Sequence, residues 1–210
     1  MKKYKKINSK PGPMLYPLPA VLVSCASGDE DNLITIGWTG IINTTPPMTY
    51  VSVRKERHSH HLIKESGEFV INLANVDMVK ALDYCGVRSG RHEDKFETAG
   101  LTRVPADIVA APMVAESPVS IECKVVEIKE YPSHDMFIAE IVACHVAEDY
   151  VADNGAYEFE RMRLVSYNHG KYYELKSSEL GFFGYSIMKP KTAKRRRQQQ
   201  KTKKEKKYRK

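Results

Sequence analysis

Five short runs of β-branched and apolar residues constrain this chain more than any other feature. They are AVLVSCA (Ala20–Ala26), MTYVSV (Met48–Val53), EFVINLA (Glu68–Ala74), VSIECKVVEI (Val119–Ile128) and MFIAEIVACHV (Met136–Val146). Each is bounded by Gly, Pro or Asp, and such runs read as strands. In the fourth, Val119, Ile121, Cys123 and Val125 share one face, and Ser120, Glu122 and Lys124 the other. The alternation slips at Val125-Val126, which predicts a bulge. The segment YPSHD (Tyr131–Asp135) then reads as a hairpin connection to the fifth run, giving a long antiparallel pair. Helical signals are few. SHHLIKESG predicts a short helix capped by Ser59 and stopped by Gly67. NVDMVKALDYCG offers Asn75 as N-cap, an apolar face through Val79 and Leu82, and Gly86 as terminator. Many strands at short spacing with so few helices point to a β-barrel.

With 210 residues the chain has the length of one domain plus appendages. Its net charge of +7 suggests nucleic acid until it is divided along the chain. Lys189–Lys210 carries 13 Lys/Arg against a single acid, Glu205, whereas Met1–Met188 has 20 basic and 25 acidic residues. The body is therefore mildly acidic and the basic character belongs to the tail. That tail is too poor in apolar residues to offset its ordering entropy and is expected to be disordered. It is either a solvated extension or a sequence-independent binder of nucleic acid or an anionic surface. Residues 1–12 are expected to be flexible, with the domain over 13–188.

The cysteines Cys25, Cys85, Cys123 and Cys144 lack CxxC spacing and sit among apolar residues, so they read as small buried hydrophobes in a reducing cytoplasm. The basic N-terminus followed by MLYPLPAVLVSCAS has the outline of a signal peptide, but Pro17 and Pro19 interrupt the apolar stretch and Gly28-Asp29 ends it in a turn. A first strand over Ala20–Ala26 accounts for it better. The sequence has no run of the roughly 20 apolar residues that span a bilayer.

The chemistry concentrates in TIGWTGIINTTPPMTYVSVRKERHSHH, Thr35–His61, which holds the only Trp of the chain. His58 and His61 would share a helix face at i, i+3, but no acidic or Cys partner lies at metal spacing, and no metal site is expected. An anion site is sounder physically. SVRKERHS ends a strand and begins a helix, whose N-terminus offers free N–H groups and a positive dipole end. Arg54, Lys55 and Arg57 add charge, and Ser52, Ser59, Thr39, Thr44 and Thr45 add hydroxyls. The same residues also fit an ordinary charged strand–helix corner.

The order DNLITIGWTGIINTTPPMTYVSVRKERHSHHLIKESGEFVINL, then DKF, then PVSIECKVVEI…SHDMFIAEI, resembles the flavin-reductase-like family of FMN-binding split barrels, and within it the flavoredoxin branch. The likeness runs from about Pro17 to Gly181. It implies a six-stranded, mainly antiparallel split β-barrel with a few short helices, forming a homodimer and holding FMN non-covalently. By the same likeness, Asn32 matches the Asn after the first strand, and Thr35 to Thr39, including Trp38, line the flavin ring. Ser52, Val53 and Arg54 form the strand end near the phosphate, with Ser59 in place of the family's helix-start Thr. Lys95 of DKF lies near the flavin, and Tyr167 supplies the late aromatic. His134, in SHD where the family has GDH, is the catalytic candidate at the flavin or nicotinamide face. From the residues alone, Trp38 reads equally as core, Lys95 as a solvated charge, His134 as an exposed hairpin tip and Tyr167 as packing.

The activity so implied is an FMN-dependent oxidoreductase of the NAD(P)H:flavin reductase type, with NADH, NADPH or another donor reducing the flavin. The alternative is a flavoredoxin-type electron carrier that serves a redox partner protein and has no substrate of its own. A weaker one is a nucleic-acid or surface binder acting through the tail. No protein nucleophile is required, because the cofactor carries the redox chemistry.

Overall fold

In the computed structural model, which describes residues 1–176, 178–189 and 192, the chain divides into two units, Met1–Lys176 and Ser177–Lys210. Twelve strands lie in the first unit: β1 (Leu18–Pro19), β2 (Val21–Ser27), β3 (Glu30–Ile36), β4 (Thr39–Thr44), β5 (Pro47–Arg54), β6 (Glu68–Leu73), β7 (Arg103–Val104), β8 (Met113–Val114), β9 (Val119–Glu130), β10 (His134–Val146), β11 (Val165–Asn168) and β12 (Lys171–Glu174). Its α-helices are α1 (His58–Ser66), α2 (Val79–Val87) and α3 (Lys95–Ala99). The second unit contains a 3₁₀ turn at Tyr185–Ile187, with the Phe182 and Tyr185 rings 6.1 Å apart. The tail expected over Lys189–Lys210 lies, apart from positions 189 and 192, outside the described residues. Residues 1–12 are exposed and without regular secondary structure.

The main sheet is antiparallel, in the order β3-β2-β6-β9-β10-β5-β4. This is the mainly β, split-barrel architecture expected, with seven strands rather than six. The extra strand is β4. Ile42 has no cross-strand partner there, and Ile41 and Ile42 are exposed, so β4 shows neither an apolar run nor a clean alternation. A smaller sheet, β1-β11-β12, packs through Val165, Tyr167 and Tyr172 onto the same core as α2 and α3.

Burial explains the curl of the main sheet. Val21, Val23 and Cys25 of β2 join Ile34, Ile36, Val51, Val53, Phe69, Phe137 and the α1 residues Leu62 and Ile63 in one core. Strands β3 and β5, far apart in the sheet order, thus share an interior. Leu22 and Leu33 point the other way, into a second core with Leu82 and Cys85 of α2 and Phe96 of α3. Strand β2 is covered on both faces, which is why its sequence is apolar almost without interruption.

Local expectations hold where chemistry sets them. Gly28, at φ 58°, opens the tight β2–β3 hairpin, as a type II′ turn requires of its first central residue. The predicted bulge is at Val126: Ile138 pairs with Glu127 and Ala139 with Val125. Gly67 ends α1 in the left-handed region, its N–H bonded to Ile63 O. Asn75 caps its helix start by accepting the N–H groups of Asp77 and Met78. Two details differ. Arg57, not Ser59, is the N-cap residue of α1, so Ser59 lies inside the first turn. Helix α2 continues through Gly86 to Val87, and Gly86 serves close packing: a Cβ there would lie 3.2 Å from Thr35 Cβ.

The polar face of β9 is also covered at Ser120 and Glu122. Glu122 is fully buried and accepts the N–H groups of Asp107 (3.0 Å), Ile108 (2.8 Å) and Val109 (2.9 Å), with His145 Nε2 at 2.6 Å. One carboxylate therefore satisfies a loop that contributes no strand hydrogen bonds of its own. Three of the cysteines are buried, as expected; Cys144 instead faces outward from β10. No described helix is long and apolar enough to cross a membrane.

Candidate functional site

Two adjoining compartments, sharing Ile34 and Arg57, open between β3, the end of β5, the start of α1 and the turn after α2. The first is a cleft of about 410 Å³ whose apolar wall comes from Leu18, Ala20, Ile34 and Ile36. Trp38 lies on its rim at 41% exposure, too open to be core, and stacks on His134 with ring centroids 4.6 Å apart at 28°. Its carbonyl accepts the Ser52 N–H at 2.9 Å, tying the Trp to β5. On the other side stand Tyr167 and Tyr172, whose rings meet at 5.5 Å. Tyr172 donates to Asp83 at 3.2 Å, and burial together with that carboxylate pushes its phenol up to about 12.

Register explains which strand-end residues reach the cleft. Arg54 pairs with His134 and Ser52 with Met136, while Val53 pairs with Asp135. Period-two alternation sends Ser52, Arg54 and His134 to the cleft. It also sends Val53 into the core, where it is almost fully buried, so Val53 is not a lining side chain. Burial and the neighbouring Arg54 charge hold His134 below the ordinary histidine range, which leaves its imidazole neutral at pH 7.

The second compartment, about 400 Å³, is polar and basic. Arg57, Arg88 and Arg91 line it with Asn32, Ser59, Ser89, Gly90 and Lys95. Among the described residues, the Arg57 and Arg88 guanidiniums make no side-chain hydrogen bond or ion pair, and Arg91 reaches only the Glu56 carbonyl at 3.3 Å. The buried Asn32 donates to Ser59 Oγ at 2.8 Å, and the Ser59 side chain also meets the Cys25 thiol behind it. The Ser89-Gly90 backbone passes so close that a Cβ on Gly90 would lie 2.1 Å from Asn32 Oδ1.

Lys95 is not a solvated loop charge. It begins α3 behind the Asp94 cap, is buried, and donates from Nζ to Leu33 O (2.7 Å) and Cys85 O (2.9 Å). Burial pulls its pKa below the ordinary lysine value. Its place is the polar compartment, away from the Trp38–His134 stack. Asn32 and Ser59 lie there too, and Thr35, Trp38, Ser52, Arg54, His134 and Tyr167 line the cleft. Thr39 lines neither; its hydroxyl donates to the Tyr50 carbonyl across the β4–β5 pair.

The sequence reading passed over the turn Arg88-Ser89-Gly90-Arg91, and it valued Arg57 only as nearby charge. A Ser-Gly pair flanked by two Arg just past a helix is the available signal. The His run separates as well. His60 is buried against Asp135 at 2.8 Å, with Lys55 Nζ 3.1 Å from the other carboxylate oxygen, and these partners hold the Asp135 carboxyl low despite its burial. His58 Nε2 lies 2.6 Å from Glu30 Oε1, and its ring meets that of His61 at 4.8 Å.

A barrel wall carrying an aromatic cleft beside an arginine-lined pocket has the chemistry to hold an extended ligand with a flat apolar head and an anionic end. The chain belongs to the family described as "Flavin reductase like domain", whose model matches residues 14–176. The structure is similar to the flavoredoxin of Desulfovibrio vulgaris (Miyazaki F), with 32% identity and a TM-score of 0.81 over 87% of this chain and 100% of that one. It is similar also to the flavoredoxin of Methanosarcina acetivorans, with 30% identity and a TM-score of 0.80 over 88% and 100%. An uncharacterized protein of Archaeoglobus fulgidus is 31% identical over 79% of this chain and 92% of its own length.

Proposed function

We propose that the chain binds FMN non-covalently across the two compartments and works as an oxidoreductase that passes electrons from NADH, NADPH or another donor through the flavin. The observation that carries this is the adjacency of the aromatic cleft to a pocket lined by Arg57, Arg88, Arg91 and Ser59, the two sharing Ile34 and Arg57. The donor set fits the group. A phosphate dianion needs guanidinium and hydroxyl donors, and a flat apolar ring system needs a wall such as Ile34 and Trp38. When bound, the flavin supplies the hydride and single-electron chemistry.

The chain's own residues do the rest. Arg57, Arg88 and Arg91 neutralise the phosphate, and Asn32 fixes the position of the Ser59 side chain at that end of the site. Tyr167, Tyr172 and Trp38 exclude water from the ring's surroundings. His134 is the candidate at the reacting face, its neutral imidazole offering one N–H and one lone pair to the flavin or a nicotinamide. Lys95, with two of its three donors given to backbone carbonyls, keeps a cation within the polar compartment. The homodimer implied by the resemblance is part of this proposal: Trp38, Ile41 and Ile42 are exposed apolar positions at and beside β4 that a second copy would cover.

A second reading, an electron carrier without its own substrate, is favoured by the likeness to two flavoredoxins along nearly the whole folded length. Anaerobic mixing of the FMN-loaded protein with NADH and NADPH separates the two. Bleaching of the flavin by either nucleotide supports the reductase; reduction only after a redox partner protein is added supports the carrier. Purified protein that takes up no added FMN refutes both.

A further inference from the structure

We infer that Glu30, His58 and His61 form a binding site for a divalent first-row transition ion of the Zn²⁺ or Co²⁺ class. The two histidines lie three residues apart on α1, and the fold adds a carboxylate from the first residue of β3, so that one donor atom from each lies within 4.8 Å of the others. Donors on one tetrahedral zinc ion sit about 3.4 Å apart, given zinc–nitrogen distances of about 2.0–2.1 Å. The contraction required is therefore modest and falls on the more exposed members. Glu30 is half exposed and His61 partly exposed, while His58 is held in the packed wall.

His58 Nε2 lies 2.6 Å from Glu30 Oε1, so an ion taken by Nε2 would stand where that hydrogen bond now runs and hold the same two groups together. Two imidazoles with one carboxylate is a donor set that zinc accepts with its fourth position open to water or an anion. Bound there, the ion would clamp the first turn of α1 to the β2–β3 hairpin, beside the polar compartment that His58 also lines. A second cluster, Asp107, Glu122 and His145, has comparable spacing. Its central carboxylate already receives three N–H groups and His145, so it has little left to offer a cation.

The test is titration of untagged, chelator-stripped protein with Co²⁺, followed by its visible d–d bands, with Zn²⁺ as competitor. The expected result is one equivalent per chain with nitrogen–oxygen coordination bands that Zn²⁺ removes. Glu30→Gln and His61→Gln, both at exposed or partly exposed positions, should each weaken binding at least about tenfold, and His145→Gln should leave it unchanged. Absence of stoichiometric uptake overturns the inference, as does uptake that survives both substitutions or is lost in His145→Gln. The result is independent of the flavin reading, because the titration is made without FMN and read on the metal alone.

Discussion

Gly90→Ala is a one-methyl test of how the polar compartment is built. The added Cβ would lie 2.1 Å from Asn32 Oδ1, 2.6 Å from Cγ and 2.9 Å from Nδ2, all far inside contact distance. Asn32 is 3% exposed and holds Ser59 Oγ at 2.8 Å, so it has no solvent to swing into and must break that bond to yield. Overpacking costs about 1–3 kcal/mol and the lost hydrogen bond about 0.5–1.5 kcal/mol, giving an expected destabilisation of about 1.5–4.5 kcal/mol. The same displacement disorders the Asn32–Ser59 pair at the anion end, so FMN affinity should fall too, tenfold for each ~1.4 kcal/mol lost. Urea unfolding and an FMN fluorescence titration measure the two effects. The decisive comparison is the cycle with Asn32→Ala, which removes the atoms struck: in that background Gly90→Ala should cost less than about 1 kcal/mol. A single mutant within about 0.5 kcal/mol of the parent, or a penalty of equal size in both backgrounds, would refute the reasoning.

Glu122→Ala should destabilise by about 3–5 kcal/mol in urea unfolding, because it strands the N–H groups of Asp107, Ile108 and Val109. Burial alone would push the Glu122 carboxyl up, but the Asp107 amide, His145 and the next two amides outweigh it and hold it below the usual range. Its contribution is therefore complete above the ordinary carboxylate range and drains away as pH falls through the depressed native value; Glu122→Gln should flatten that acid-side loss. Trp38→Ala should change stability by less than about 1 kcal/mol, since the ring is 41% exposed, yet weaken FMN retention and abolish the tryptophan fluorescence that reports it. Replacing Arg57 by Ala should raise the dissociation constant for FMN more at low than at high salt, as expected of a cation facing a dianion.

Apolar, β-branched runs bounded by turn residues determined five strands of the main sheet, β2, β5, β6, β9 and β10. Turn chemistry determined Gly28 and Gly67, each a local backbone demand, and the slip in alternation at Val125-Val126 determined the bulge. For the site, the resemblance supplied Asn32, Trp38, Ser52, Arg54, Ser59 and Tyr167, all of which line one compartment or the other. The Val53 side chain lines neither compartment, because strand register points it away from the two residues beside it.

What only the tertiary structure decided is who meets whom across sequence distance. Arg57 and Arg88-Ser89-Gly90-Arg91 belong to different segments, and the packing of α2 against β3 brings them to one pocket. His58 and His61 read as a pair without a partner until the β2–β3 hairpin set Glu30 beside them. Lys95 read as a surface charge because desolvation depends on what folds over a residue, and that is a property of its neighbours in space. Local propensities are written one residue at a time, whereas a site is a coincidence of residues that only closure of the sheet produces.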